Sequence, residues 1–403
     1  MATPGDISKL DVVLTAGCNL RCSYCYQNDK KPKRMDWETL KASADLLLRS
    51  TRDEVTLLFI GGEPLLEFPL MQRAVEYIGI QRRPGQRVQF QVVTNGTLLR
   101  DEHVRFFSEH EFEVQLSFDG VAAAQALRGA GTFHTLDLAL DRMRTTQPTF
   151  FAEQLSVSLT LVVQTIPYLA ESIGYFLGKD LREIAIAPAI THQAEWRLET
   201  IDALDDQFSR LTAQSIAHYD RTGLVPLVLF RREQEDSPHM PDTYSLCGVG
   251  RGETPAVDVD GQVHGCLMFA DSYQVFPTVF LRSRLEALRM GHLGDPSFES
   301  RMAAFPAAAR AAGIFHGRER KYSSYGHCRE CRFMTTCGVC PVSIGHQPGN
   351  SDPDRIPDFL CAYNLVSLKH RQQFPAQPGL ADILCGKGKV PALMQQLATF
   401  VSS

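Results

Sequence analysis

Three cysteines near the start of the chain, Cys18, Cys22 and Cys25, are spaced for metal chemistry. A CxxxCxxC set with no fourth cysteine nearby can give three thiolates to a cubane iron-sulfur cluster and leave one iron open. An open iron is a place for a ligand to bind and react. Structural zinc usually takes two CxxC-like pairs that close one tetrahedron, so a zinc loop, or three unrelated thiols, is the lesser alternative.

A second concentration of cysteines lies in the last part of the chain. None occurs from 26 to 246, and eight follow from Cys247 onward. Cys247 and Cys266 bracket an Asp260-Gly261 pair between alternating residues, a hairpin signal that would bring the two thiols together. Cys328, Cys331, Cys337 and Cys340 form CxxCxxxxxCxxC, and Cys361 follows. Two CxxC pairs plus outliers exceed what one tetrahedral zinc can use, so two further metal centres are the economical reading. Two zinc ribbons, which cannot carry electrons, are the alternative. Cys385 reads as an ordinary free thiol.

Polar motifs cluster where apolar runs end. Gly61-Gly62-Glu63-Pro64 combines glycines, which let the backbone turn sharply and approach a ligand, with an acceptor for an ammonium. Thr94-Asn95-Gly96 and Ser117-Phe118-Asp119-Gly120 offer short polar side chains, although Asn95 and Asp119 read first as turn formers. Arg128 precedes a glycine-rich turn and could equally be a solvated cation. His192, His264 and His327 lack ligand spacing and default to surface or satisfied core. Trp196 and Tyr244 could line a cleft, but an aromatic more often packs. No residue is marked as a substrate base.

The elements that must position these residues alternate in type. Val12, Val13 and Leu14 open a buried strand, which sets the cysteines on a loop at its C-terminal end. Strands are expected at 54–60, 88–94, 113–118, 155–164 and 182–188, with helices at about 37–50, 67–80, 101–110, 134–145 and 167–178, and one more over 199–222. Alternation of this kind implies βαβ units and a parallel sheet. Six units are too few for an eight-fold barrel of ~250 residues, so a partial, open (β/α)6 TIM-like barrel is expected, with ligand sites at the strands' C-terminal ends. The barrel would span 1–230, a proline-punctuated linker 231–246, a cysteine-rich domain 247–375, and a helical tail 376–403.

Length and composition agree with a chain that builds an ample core: 403 residues, 44% hydrophobic and 22% charged. A net charge of -5 gives no basic footprint for nucleic acid, and no apolar run of eighteen could span a bilayer. Met-Ala-Thr-Pro-Gly-Asp lacks the regions of a signal peptide, so a cytoplasmic location is expected, where thiols stay reduced and serve metals rather than disulfides.

CxxxCxxC with Tyr24 before its third cysteine resembles the radical S-adenosylmethionine (SAM) enzymes. The resemblance implies that the open iron chelates the amino and carboxylate groups of SAM, whose reductive cleavage yields a 5′-deoxyadenosyl radical. It implies that Gly61, Gly62 and Glu63 form the site for the SAM amino group. Thr94 and Ser117 would reach the ribose or carboxylate, and Arg128 resembles the arginine near that carboxylate.

The later spacings, C-x13-G-x4-C, then C-x2-C-x5-C-x2-C and a lone cysteine, resemble the SPASM domain, with one residue fewer than usual before Cys340. By that pattern Cys328, Cys331, Cys337 and Cys361 hold one auxiliary cluster and Cys247, Cys266 and Cys340 another. Three 4Fe-4S clusters are thus implied. Glu253 stands near where relatives place a further cysteine, so Glu253, Cys385, the substrate or an open iron would complete the last.

The family reading is a maturase of a ribosomally made precursor peptide, forming a carbon-carbon, ether or thioether cross-link. The first strand starts near residue 9, which leaves no room for an N-terminal leader-binding module. A separate leader-binding protein is therefore an expected partner, as is an electron donor such as flavodoxin or ferredoxin. The alternatives are a peptide epimerase, a formylglycine-generating sulfatase maturase, and a non-catalytic iron-sulfur electron-transfer scaffold. Sulfatase maturases carry an aspartate after the cysteine matching Cys266, where this chain has Leu267.

Overall fold

The computed structural model describes residues 6–27, 30, 32–191, 193–231, 249–273, 288–311, 317–340, 343–344, 347 and 349–375. Its centre is six strands: β1 (Lys9–Thr15), β2 (Glu54–Gly61), β3 (Arg87–Thr94), β4 (Glu113–Ser117), β5 (Leu155–Leu161) and β6 (Ile184–Pro188). They lie side by side in sequence order, every neighbouring pair parallel. A parallel neighbour cannot be reached by a tight turn, so the crossovers carry helices. These are α1 (Trp37–Leu48), α2 (Phe68–Gln81), α3 (Asp101–Glu109), α4 (Ala122–Gln125), α5 (Thr132–Thr146), α6 (Pro148–Glu153) and α7 (Leu169–Gly178); α8 (Thr200–Thr222) follows β6. The architecture is the expected α/β arrangement of a partial barrel.

Local chemistry explains the boundaries. Asp36 caps α1 by accepting from the Thr39 N–H at 2.8 Å, and Leu40, Ala44 and Leu47 recur on its buried face. β5 stops at Leu161 rather than 164, because the Thr165 hydroxyl bonds both the N–H and the carbonyl of Val162 and turns the chain ahead of Pro167. Helix α6 was not expected from periodicity. Pro148 starts it, and Phe150 and Phe151 bury their rings.

Along β5 the leucines and Val157 line one face and Ser156, Ser158 and Thr160 the other.

The hairpin expected around Asp260-Gly261 consists of β7 (Ala256–Val257) and β8 (Gln262–His264), paired antiparallel. Gly261 has φ +88°, and its N–H closes the turn on the Asp258 carbonyl at 2.9 Å. β7 pairs in parallel with β1, so the barrel sheet runs on through β7 and β8 to β9 (Arg289–His292) as nine strands. Cys266 therefore sits on an extension of the same sheet that carries the first cysteine loop.

The last described helix, Asp358–Gln373, returns the chain to the barrel. Its Tyr363 donates to the Ile186 carbonyl of β6 at 2.7 Å, and Lys369 pairs with Asp205 of α8 at 2.7 Å. Apart from Arg231, the linker expected at 231–246 lies outside the described residues, as do Cys247 and the tail from 376 with Cys385. Among the described residues no helix is long and apolar enough to cross a membrane.

Candidate functional site

The cysteine loop leaves β1 after Thr15, whose hydroxyl accepts the Gly17 N–H at 3.1 Å. The Cys25 N–H then closes a turn on the Cys22 carbonyl, and the Ser23 N–H bonds the Leu127 carbonyl beyond α4. Cys18, Cys22 and Cys25 are half-buried, and their charges act on one another. Burial raises the Cys18 thiol pKa, against the Leu20 N–H, 3.4 Å from its sulfur, and nearby Lys30. Burial likewise raises Cys22, against the charge of Arg128. A metal binding at Cys18 or Cys22 must therefore displace a proton that burial favours.

The glycines of Gly61-Gly62 serve backbone contact. A Cβ on Gly62 would lie 2.1 Å from the Gly17 carbonyl oxygen, and one on Gly61 2.3 Å from that of Thr15. This close approach lets the Gly62 N–H bond Thr15 O and the Glu63 N–H bond Gly17 O, stitching β2 to the cysteine loop. The close approach here is to the backbone of the cysteine loop.

Glu63 is fully buried. One oxygen accepts from the Thr94 hydroxyl at 2.7 Å and the Leu65 N–H at 3.1 Å, the other from the Asn95 N–H at 2.7 Å. Burial still dominates these donors and pushes the carboxyl up to about 7. Thr94, expected near a ribose, thus has its hydroxyl on Glu63, while Ser117 stands half-buried at the end of β4. The Asn95 side chain reaches Asn19 at 2.9 Å and lies 3.9 Å from the Cys18 sulfur, so it joins this wall of the loop rather than a simple turn.

Arg128 is buried, not solvated. Its Nη2 donates to Asp119 Oδ1 at 2.8 Å and Thr160 Oγ1 at 3.1 Å. The Tyr24 hydroxyl donates to the other Asp119 oxygen, and the guanidinium sits 5.4 Å from the Tyr24 ring centroid. Burial and the Asp119 carboxylate raise the Tyr24 pKa against the opposing pull of Arg128. The turn-former reading of Asp119 missed this network. Its signal was position, at a strand's C-terminal end and nine residues before a lone arginine.

In the C-terminal segment, Cys328, Cys331, Cys337 and Cys361 line one cavity of about 290 Å³, together with Phe333, Met334 and Val339. Short turns present the first three: the Cys331 N–H bonds Cys328 O, and the Cys337 N–H bonds Phe333 O. The helix Asp358–Gln373 delivers Cys361, whose sulfur accepts from the Ser323 hydroxyl at 3.1 Å. Burial pushes the Cys361 thiol up to about 11. Cys340 and Cys266 do not line this cavity; both pack against the hydrophobic core. Among the described residues no three His, Cys, Asp or Glu side chains are grouped to hold a metal ion.

Glu253 pairs with Arg251 at 2.9 Å and Arg52 at 3.5 Å, which commits its carboxylate to ion pairs. His264 is buried, and among the described residues neither of its ring nitrogens has a hydrogen-bond partner. His327 is exposed beside the Tyr322 ring. Trp196 packs on Phe359 and donates to the Tyr325 hydroxyl at 3.2 Å, a core role. His192 and Tyr244 lie outside the described residues. Unexpected from sequence, Tyr273 stacks on Tyr26 at 5.5 Å and donates to the Gly61 carbonyl at 3.2 Å, joining the segment after Cys266 to the first cysteine loop.

Comparison with known proteins bears on this arrangement. Residues 12–150 match the profile of the Radical SAM superfamily. An uncharacterized protein of Methanocaldococcus jannaschii is 31% identical over 178 residues, 43% of this chain and 59% of that protein. The cysteine-type anaerobic sulfatase-maturating enzyme of Clostridium perfringens is 25% identical over 42% of this chain and 48% of its own. The chain thus spans about half the length of the curated relatives it matches. Native anSMEcpe with bound AdoMet shares the fold at TM-score 0.68 and 17% identity, covering 94% of this chain and all of that one. Streptococcus suis SuiB bound to precursor peptide SuiA does so at TM-score 0.52 and 14% identity, covering 88% and 75%. Over residues 12–150 the chain is thus similar to the Radical SAM superfamily, and its fold is the one seen in anSMEcpe and SuiB.

Proposed function

We propose that this chain is a radical SAM peptide maturase that forms an intramolecular cross-link between side chains of a precursor peptide. The observation that carries the reading is the presence of two separate thiol sets. One, Cys18, Cys22 and Cys25, stands at the strands' C-terminal ends, and the other lines a cavity in the C-terminal segment. Three neighbouring soft thiols fit an iron-sulfur group with an open position, and four around one cavity fit a fully ligated one. Cys247, Cys266 and Cys340 would hold a third.

The chemistry such a group supplies at the first loop, when bound, is one-electron reductive cleavage of SAM. The chain's own residues bind and orient. Glu63 offers the acceptor for the SAM ammonium from a wall fixed by Thr94 and Asn95, and its carboxyl near 7 makes that acceptor stronger as pH rises. Tyr24 and Arg128 lie against each other through Asp119 at the end of β4, where Ser117 also stands. Phe118, next to Asp119 in sequence, is buried among Phe133, Tyr175 and Phe176 and fixes that strand end in the core.

The peptide substrate is supported by two shared folds, since SuiB binds a precursor peptide and anSMEcpe binds the Kp18Cys peptide. The experiment is anaerobic reconstitution with reductant and SAM, followed by mass spectrometry of the candidate precursor. Loss of two hydrogens is the expected result. An unchanged mass with backbone inversion would make the enzyme an epimerase, and absence of 5′-deoxyadenosine would leave only the electron-transfer scaffold.

A second reading, formylglycine formation, is favoured by relatives described as cysteine-type and serine-type anaerobic sulfatase-maturating enzymes. Leu267 after Cys266 weighs against it. Conversion of a sulfatase-derived cysteine or serine peptide to an aldehyde would reverse that preference. A flavodoxin or ferredoxin as donor, a separate leader-binding protein and a cytoplasmic location complete the proposal.

A further inference from the structure

A buried charge pair stands behind the first cysteine loop. The Asp119 side chain has 0% of its surface exposed and that of Arg128 9%. The Asp119 carboxylate receives hydrogen bonds from three separate parts of the chain. Tyr24 brings the cysteine loop, Arg128 the segment after α4, and the Thr160 N–H the end of β5 at 2.9 Å. The Asp119 N–H is itself held by Gln125 at 2.9 Å, and Gln125 by Thr132 at 3.0 Å.

A buried ion pair is a poor device for stability alone. Well-packed hydrocarbon in its place is often neutral or stabilising, whereas losing one partner costs about 3–5 kcal/mol. What the pair does here is hold charge and geometry around Cys22. The guanidinium lies 5.4 Å from the ring centroid of Tyr24, on the loop between Cys22 and Cys25, and the Ser23 N–H beside Cys22 is bonded to the Leu127 carbonyl, one residue before Arg128.

We propose that Asp119 is a positioning residue: its carboxylate locks Tyr24 and Arg128 around Cys22 and neutralises the guanidinium, setting the charge felt by the group on the three-cysteine loop. The inference rests on the reading that Cys18, Cys22 and Cys25 hold an iron-sulfur cluster. In a buried, weakly screened setting each member of the pair then has an effect of opposite sign. A positive charge left alone favours the reduced cluster, and a negative charge left alone disfavours it.

The test is a redox titration followed by electron paramagnetic resonance on the full, reconstituted chain, with iron content and thermal melting recorded alongside. Asp119→Asn should raise the midpoint potential of the first cluster, Arg128→Met should lower it, and the double variant should return near wild type. Iron-replete single variants with wild-type potentials, or with shifts of the same sign, overturn the proposal, because a merely structural role gives no opposed pair of shifts.

Should a single variant not fold, Tyr24→Phe removes only one donor from the carboxylate and is expected to lower the potential; an unchanged value again overturns it. Cys18→Ala separates the two levels of inference. If it keeps the wild-type iron content and spectrum, the cluster assignment falls, and the role of Asp119 with it.

Discussion

The two cysteine regions are built on different principles. At the first, the thiols ride a loop whose main chain is bonded to its neighbours: Gly62 N–H to Thr15, Glu63 N–H to Gly17, Ser23 N–H to Leu127. Side chains of three further strand ends then close round it through Glu63–Thr94, Asn95–Asn19 and Tyr24–Asp119. At the second, short turns present Cys328, Cys331 and Cys337 to a cavity, and one helix brings Cys361 from the far side. The first arrangement surrounds its thiols with buried polar side chains, Glu63, Asn95, Asp119 and Arg128. The second has Phe333, Met334, Val339, Ile356 and Leu365 around the thiols, with Lys321, Glu330 and Asn364 also in its lining.

The largest expected effect separates the regions by function. Replacing Cys18, Cys22 and Cys25 together by alanine should abolish SAM cleavage and remove roughly four irons per chain. Replacing Cys328 and Cys361 should remove a similar amount of iron while 5′-deoxyadenosine still forms and the cross-linked product disappears. Equal loss of SAM cleavage in both would erase the distinction.

Next in size is the backbone itself. Gly62→Ala drives a methyl onto the Gly17 carbonyl and should cost about 3 kcal/mol, emptying the first site before the second. Gly326, with φ +128° and open space around its Cβ position, should cost only about 1 kcal/mol as alanine, through backbone strain near Cys328. Denaturant melts with iron analysis of each variant check both values; a Gly62→Ala protein as stable as Gly326→Ala would remove the main-chain argument.

The third prediction concerns pH. The Glu63 carboxyl is pushed up from 4.5 to about 7, so between those values the folded protein holds a proton that the unfolded chain has released. Stability therefore falls as pH rises from about 5 to about 7.5, by on the order of 1 to 3 kcal/mol, relative to Glu63→Gln. Parallel pH profiles of the two proteins would refute this. The smallest effect is at the second region. Ser323→Ala removes a hydrogen bond to the Cys361 sulfur, worth about 1 kcal/mol, and should lower the potential of a cluster held by these four cysteines. An unmoved potential would show that bond to be incidental.

Much of the fold was readable because its signals are local. The apolar runs at 12–14, 54–60 and 88–94 mark strands, and the intervening periodicity marks helices, since each must bury one face within its own length. Thiol spacing within a loop is equally local, so Cys18, Cys22 and Cys25 announced themselves. Cooperation between distant residues has no such signal. That Asp119 would meet Tyr24 and Thr160, or that Tyr273 would stack on Tyr26, depends on which strand ends are brought together.

By itself the sequence determined the kind of donor atoms, their spacing along each loop, and the alternation that builds a parallel sheet. The tertiary structure decided that Cys328, Cys331, Cys337 and Cys361, a set the sequence offered only through a resemblance, line one cavity, that Asp119 meets both Tyr24 and Arg128, and that the glycines beside Glu63 meet backbone. The reason is physical: a side chain's type is a property of its residue, whereas its partner and its charge environment are set by packing between segments far apart in the chain.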